Sequence, residues 1–152
     1  MKFFLIIFLI LSYPCLGQYP RKANVAVIET DSLKASRIFR VCIEILESKG
    51  YRLNRLDYSS FTLMTEPVVI HELPLLFKIE IEVNDALASI RGYVLDDRDF
   101  ADLGLYPVPK EWEDAAYRSF SGSTWRTGFE VVVEMVEKIR SAVNGKVLWN
   151  RW

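Results

Sequence analysis

Residues 77 to 94, FKIEIEVNDALASIRGYV, constrain this chain more than any other stretch. Phe77, Ile79, Ile81 and Val83 alternate with Lys78, Glu80 and Glu82, which is the period of a strand with one apolar and one wet face. Asn84-Asp85 supplies the chemistry of a two-residue hairpin turn. That turn sets Val83 opposite Ala86, Ile81 opposite Ala88, Ile79 opposite Ile90 and Phe77 opposite Gly92. Large residues then meet small ones on the inner face, and that face needs a second layer to cover it.

Two helical stretches can provide the layer. In SLKASRIFRVCIEILESKG, Ala35, Ile38, Phe39, Cys42, Ile45 and Leu46 share one face at three- and four-residue spacing. The preceding TDS, residues 30 to 32, offers N-cap side chains, and Gly50 offers the left-handed stop. Near the other end, Trp125, Phe129, Val132, Val136, Ile139 and Val143 form a longer stripe. Thr127 with Glu130 is a capping box near its start, and Asn144-Gly145 ends it. The tail KVLWNRW is apolar enough to dock back on the body.

The remaining elements are shorter. NVAVIE, residues 24 to 29, is a β-branched run with the character of a strand. Residues 51 to 57 and 61 to 66, on either side of Ser59-Ser60, read as a hairpin. Pro67 and Pro74 bracket an irregular edge or loop segment. Residues 109 to 120 suggest a short helix, with Pro109 at its start and acids in the first turn.

The N-terminus reads MKFFLIIFLILSYPCLG. One lysine, an apolar middle and a small-x-small end describe a secretory signal peptide. As helix, residues 3 to 16 reach about 21 Å, short of the roughly 30 Å hydrocarbon core of a bilayer. The expectation is cleavage after Gly17, with residues 18 to 152 forming a single α+β domain in the periplasm or outside the cell. No transmembrane helix remains once the signal is removed. The alternative is a lipid anchor on Cys15, but Tyr13 and Pro14 fit a lipoprotein signal badly.

Of the 152 residues, 135 remain after residue 17. That length can bury about two thirds of its unfolded surface without a metal or disulfide staple. Lys2 leaves with the signal, so 18 basic residues stand against 20 acidic ones. A balance so near neutral gives no support to nucleic-acid binding. Cys42 is the one cysteine left and lies on a helix stripe, where a buried, reduced thiol is expected.

The element order is strand, helix, four strands, helix. It describes an α+β, two-layer domain in which a curved antiparallel sheet of about four to five strands packs on a long C-terminal helix. Within it, SKGYRLNRLDYSSFTLMTE resembles the helix-Gly-strand-turn-strand opening of small exported domains, such as those of the outer-membrane barrel-assembly lipoproteins. Over residues 24 to 143 the order is similar to the helix-grip, or TATA-box-binding-protein-like, architecture. The resemblance lies in element order alone and transfers no functional residue.

Chemistry is sparse. His71, the sole histidine, has no G-x-S-x-G elbow to serve. One histidine and one cysteine do not make a zinc site. Asp96, Asp97, Asp99 and Asp102 lack the spacing and central glycine of a calcium loop. No cofactor and no metal is implied. The candidate binding residues are aromatics in or beside the long connection: Phe100, Tyr106, Trp112, Tyr117, Phe120 and Trp125. Buried, they complete the core; exposed, they mark a binding surface. Trp112, Ala116 and Phe120 at period four favour the core.

These features favour an exported, non-enzymatic domain that binds an envelope protein or scaffolds envelope assembly. A carrier of a small apolar molecule, held between sheet and C-terminal helix, is the alternative, and a weak hydrolase using His71 comes third. The mature chain is expected to begin at Gln18. Intact mass of the exported product checks this, and a lipidated species starting at Cys15 would instead make it a membrane-anchored lipoprotein.

Overall fold

The computed structural model describes residues 19–70, 75–96, 111–118 and 123–151. The signal-peptide reading, Cys15 and His71 lie outside them. Eight strands and two helices follow one another as β1 (Val25–Glu29), α1 (Ala35–Ser48), β2 (Leu53–Asp57), β3 (Thr62–Thr65), β4 (Val68–Val69), β5 (Leu75–Asn84), β6 (Leu87–Asp96), β7 (Glu113–Asp114), α2 (Thr124–Val143) and β8 (Lys146–Asn150). The expected order holds, but the sheet has eight strands rather than four or five. Two of the extra ones, β4 and β7, are two-residue strands. The third, β8, is the docked tail.

The sheet is antiparallel throughout, in the order β2-β3-β5-β6-β1-β8. The β5–β6 hairpin is its spine. Beside β5, β3 pairs the end near the turn and β4 the far end. Between them the buried Thr65 hydroxyl accepts the Ile79 N–H at 3.0 Å, which satisfies a backbone donor where the two short strands meet. Beside β6, β1 takes the turn end and β7 the far end.

The hairpin register differs from the expected one. Asn84 pairs with Leu87, so the turn residues are Asp85 and Ala86, and the pairs run Val83–Ala88, Ile81–Ile90, Ile79–Gly92 and Phe77–Val94. Moving the turn by one residue moves the pairing by two, which leaves every side chain on its expected face. The cause is a neighbour. The N–H and the hydroxyl of Thr30 both donate to the Ala86 carbonyl, at 3.0 and 3.2 Å. Asp85 carries the positive φ of 51° that the turn requires, a conformation aspartate tolerates better than most residues.

That use of Thr30 also corrects the expected helix cap. α1 starts after Lys34, with no side-chain cap bond. The second cap moves too. Ser123 accepts the Arg126 N–H at 3.3 Å, three residues into α2, so the helix begins ahead of the proposed Thr127–Glu130 box. Thr127 instead donates to the Ser123 carbonyl, and Glu130 pairs with Arg126 at 3.0 Å. The short helix expected over residues 109 to 120 is not formed by residues 111 to 118. Here Glu113 and Asp114 pair with β6, and Ala115 donates to the Gly92 carbonyl. Bonding to the sheet satisfies these backbone groups, and none is left for a helix.

Both helices lie on the inner face. α1 buries Ile38, Phe39, Val41, Cys42 and Leu46, and α2 buries Gly128, Phe129, Val132, Met135, Val136, Ile139 and Val143. They close on Phe77, Ile79, Ile81, Ile90 and Val94 of the hairpin. Two glycines set the separation. A Cβ on Gly92 would stand 2.4 Å from Val132 Cγ2 and 2.8 Å from the Phe77 ring, and one on Gly128 would stand 2.3 Å from Val94 Cγ1. Strand and helix each lend a bare backbone to a valine of the other.

Gly92→Val is therefore expected to overpack the seam and cost on the order of 1–3 kcal/mol in a denaturant melt. Gly128→Ala gives a sharper outcome. Helix propensity alone favours alanine by about 1 kcal/mol, yet the contact with Val94 should make the variant less stable. A stabilised Gly128→Ala protein would contradict the close seam.

Burial pushes the Cys42 thiol up from 9.0 to about 12. The unfolded chain releases that proton first, so the folded state loses stability as pH rises above about 9. Urea melts of the native chain and Cys42→Ala across pH 8 to 11 should show a shallower alkaline decline in the variant, whatever its cost at neutral pH.

Candidate functional site

A groove of ≈ 280 Å³ among the described residues has the shape of a binding site. Its walls come from three segments distant in sequence: Lys49, Gly50 and Tyr51 after α1, Val68 to Ile70 at β4, and Val131, Glu134 and Met135 on α2. Gly50 builds one wall because its φ of 83° turns the chain sharply off the helix. The Gly50 N–H returns to the Glu47 carbonyl and the Tyr51 N–H to Leu46, so this turn is closed on itself. β4 builds the opposite wall and leaves Val69 66 % exposed.

The floor is apolar and the rim is charged. Met135 and Ile70 are buried, while Lys49 Nζ reaches across the two helices to Glu134 Oε1 at 2.9 Å. That bond is the main cause that raises the Lys49 pKa. The pair is exposed and contributes little to stability, so its carboxylate and ammonium can be drawn off by a partner at small cost. Tyr51 is half-buried at the same rim. Burial first, and the nearby Glu134 carboxylate second, raise its phenol above the ordinary range.

Of the aromatic residues proposed as a binding surface, the three that are described do not line this groove. Phe100, Tyr106 and Phe120 lie outside the described residues. Trp112, Tyr117 and Trp125 are half-buried and divided between the two faces of the sheet. Trp112 stands on the outer face, with Lys78 Nζ 4.3 Å from a ring centroid. Beside it the Tyr93 hydroxyl donates to Glu80 Oε2 at 2.5 Å. Burial, and then this bond, push the Tyr93 phenol up to about 12.

Tyr117 and Trp125 belong to the helix side. Tyr117 joins Tyr19, Phe129 and Trp149 in an aromatic cluster with ring centroids 4.9 to 5.7 Å apart. Trp125 donates its indole N–H to Glu113 at 2.6 Å, and the Arg118 guanidinium lies 4.8 Å from its ring. These contacts fasten Tyr19 and residues 113 to 118 to the body. Of the acidic stretch, Asp96 accepts the Thr124 hydroxyl at 3.4 Å, and Asp97, Asp99 and Asp102 lie outside the described residues. Among the described residues no group of three or more His, Cys, Asp and Glu side chains could hold a metal ion, and no helix is long and apolar enough to cross a membrane.

Sequence reasoning passed over the groove residues because no local motif unites them. The one available signal is VVI, residues 68 to 70. Three apolar residues in a row on so short a segment cannot all face the core, and Val69 is the one left out.

No family model and no curated protein matches this chain. Among solved structures, a TBP-like protein from Parabacteroides distasonis ATCC 8503 is similar to it, with a TM-score of 0.50 and 12% sequence identity over 79% of this chain and 90% of that one. At that identity the likeness speaks for the fold alone, and the fold is TBP-like: an α+β domain with a curved antiparallel sheet and a C-terminal helix.

Proposed function

We propose that the mature chain is an exported, non-enzymatic domain, periplasmic or secreted, that binds an envelope protein partner or scaffolds assembly through the groove beside β4. The observation that carries this reading is the place of the open space. The seam where a carrier would hold its cargo is filled by Phe77, Val94, Phe129 and Val132, with two glycines already spent on close approach. Accessible apolar surface lies instead at the periphery, including Val68, Val69 and Val131 beside an exposed ion pair.

A carrier using the groove itself is the competing reading. Small-molecule sites enclose some 70–90% of their ligand, in roughly 300–1,000 Å³. This groove, at ≈ 280 Å³, falls just below that range and is open along Val69. Such a shape suits one or two side chains projected by a larger partner better than it suits a released cargo.

Native mass spectrometry of the exported chain, beside a crosslinking pull-down from its own envelope fraction, tests the reading. A partner recovered by the native chain should be lost with Val69→Glu, which changes an exposed side chain and should leave the circular dichroism unchanged. A stoichiometric lipid or metabolite with no protein partner would overturn the proposal in favour of a carrier. Turnover abolished by His71→Ala in a folded protein would overturn both binding readings.

A further inference from the structure

We infer that β8 is the contact strand of a symmetric dimer, in which the sheet continues from one copy of this chain into a second. The sheet has two ends, β2 and β8. A bare edge strand is a template for pairing unless something blunts it. β2 is blunted: its pairing with β3 shifts between Leu53 and Arg55, and Arg55 is exposed. β8 is regular through its central residues, the one departure being at its end, where the Asn150 carbonyl also accepts the Asn24 N–H at 3.0 Å. Its five residues pair in unbroken register with β1, from Glu29–Lys146 to Val25–Asn150.

The ladder shows which backbone groups are left over. Antiparallel strands alternate, so a residue that bonds one neighbour through its backbone leaves the next residue to bond the other. Thr30 donates its N–H to Ala86, opposite it on the β6 side. By that alternation Ile28 and Ala26 also serve β6, while Glu29, Val27 and Val25 serve β8 at Lys146, Leu148 and Asn150. The N–H and C=O of Val147 and Trp149 therefore point away from β1, at the open edge. Among the described residues nothing pairs with them.

Side chains select a second copy as the occupant. Leu148 is 56 % exposed on the outer face. A twofold axis through it, perpendicular to the sheet, sets Val147 opposite the partner's Trp149 and Trp149 opposite the partner's Val147. Both are bonding positions, and the match supplies four backbone hydrogen bonds. Leu148 then meets the partner's Leu148 in the close, non-bonded position, about 4.5 Å between Cα atoms. Lys146 faces the partner's Asn150, so no two cations stand directly opposite. An axis through Val147 would set Leu148 against the partner's Lys146, and one through Trp149 would set it against the partner's Asn150. The axis through Leu148 alone joins leucine to leucine. The contact is isologous, and an axis perpendicular to the sheet keeps the helices of both copies on the same side of it. A five-residue ladder is a small interface, so the dimer is reversible and concentration-dependent. It is independent of the groove reading, since β8 and β4 belong to different parts of the sheet.

Sedimentation velocity of the mature chain over a concentration series tests the inference. The native chain should pass from monomer to dimer. Val147→Pro removes an outward N–H and no bond to β1, and proline is tolerated at such edge positions, so this variant should stay monomeric with an unchanged melting curve. Leu148→Arg keeps every backbone group and sets two cations face to face. It reads the same contact if the proline variant does not fold. Leu148→Cys should give a disulfide dimer under mild oxidation, with the buried Cys42 thiol not taking part. A native chain that remains monomeric at millimolar concentration overturns the inference, as does a dimer that survives Leu148→Arg. Either result leaves the groove proposal standing.

Discussion

The contact on which the fold depends is the close seam between β6 and α2. Gly92 on the strand admits Val132, and Gly128 on the helix admits Val94. Each glycine weakens its own element, since glycine in a helix interior costs about 1 kcal/mol relative to alanine. The cost is offset because the long helix comes down onto the sheet and buries Phe77 and Phe129 together. At these two glycines helix and sheet are in direct contact.

The rims are made by short elements with little core of their own. The 66 % exposure of Val69 follows from the brevity of β4, which has two residues and one neighbour, β5. The turn after α1 and the flank of α2 complete the groove, so its shape depends on the helix separation that the glycine pair sets. The far rim, β8, is different in kind. It takes its place on β1, itself anchored to the hairpin through Thr30, and among the described residues no strand pairs with its outer side. Groove and edge are thus both consequences of how a closed core meets its periphery.

The candidate site was far less legible than the fold. Lys49, Tyr51, Val69, Val131 and Glu134 come from separate elements, and their meeting is a product of packing. Aromatic residues drew attention because they cluster in sequence over the long connection. In space Trp112 lies on one face of the sheet, while Tyr117 and Trp125 lie on the other and are tied to Phe129 and Glu113. Closeness along a chain that crosses a sheet edge does not amount to a shared surface.

The sequence by itself determined the quantities that are periodic. Alternation along residues 77 to 83 selected the inner face, and the stripes through Cys42 and Phe129 selected the helix faces that cover it, because burial of apolar area acts on each element's own period. Left-handed stops at Gly50 and Asn144 were equally local. What only the tertiary structure decided are matters of competition between neighbours. Thr30 could cap a helix or hold a turn, and the Ala86 carbonyl of a hairpin turn 56 residues away settled it. Residues 111 to 118 had the composition of a helix start, and the open flank of β6 made them a strand instead. The tail, apolar but without a pattern of its own, became β8 because β1 had an edge to fill. In each case a backbone group needed a partner, and the nearest partner was one that the fold, rather than the local sequence, had placed there.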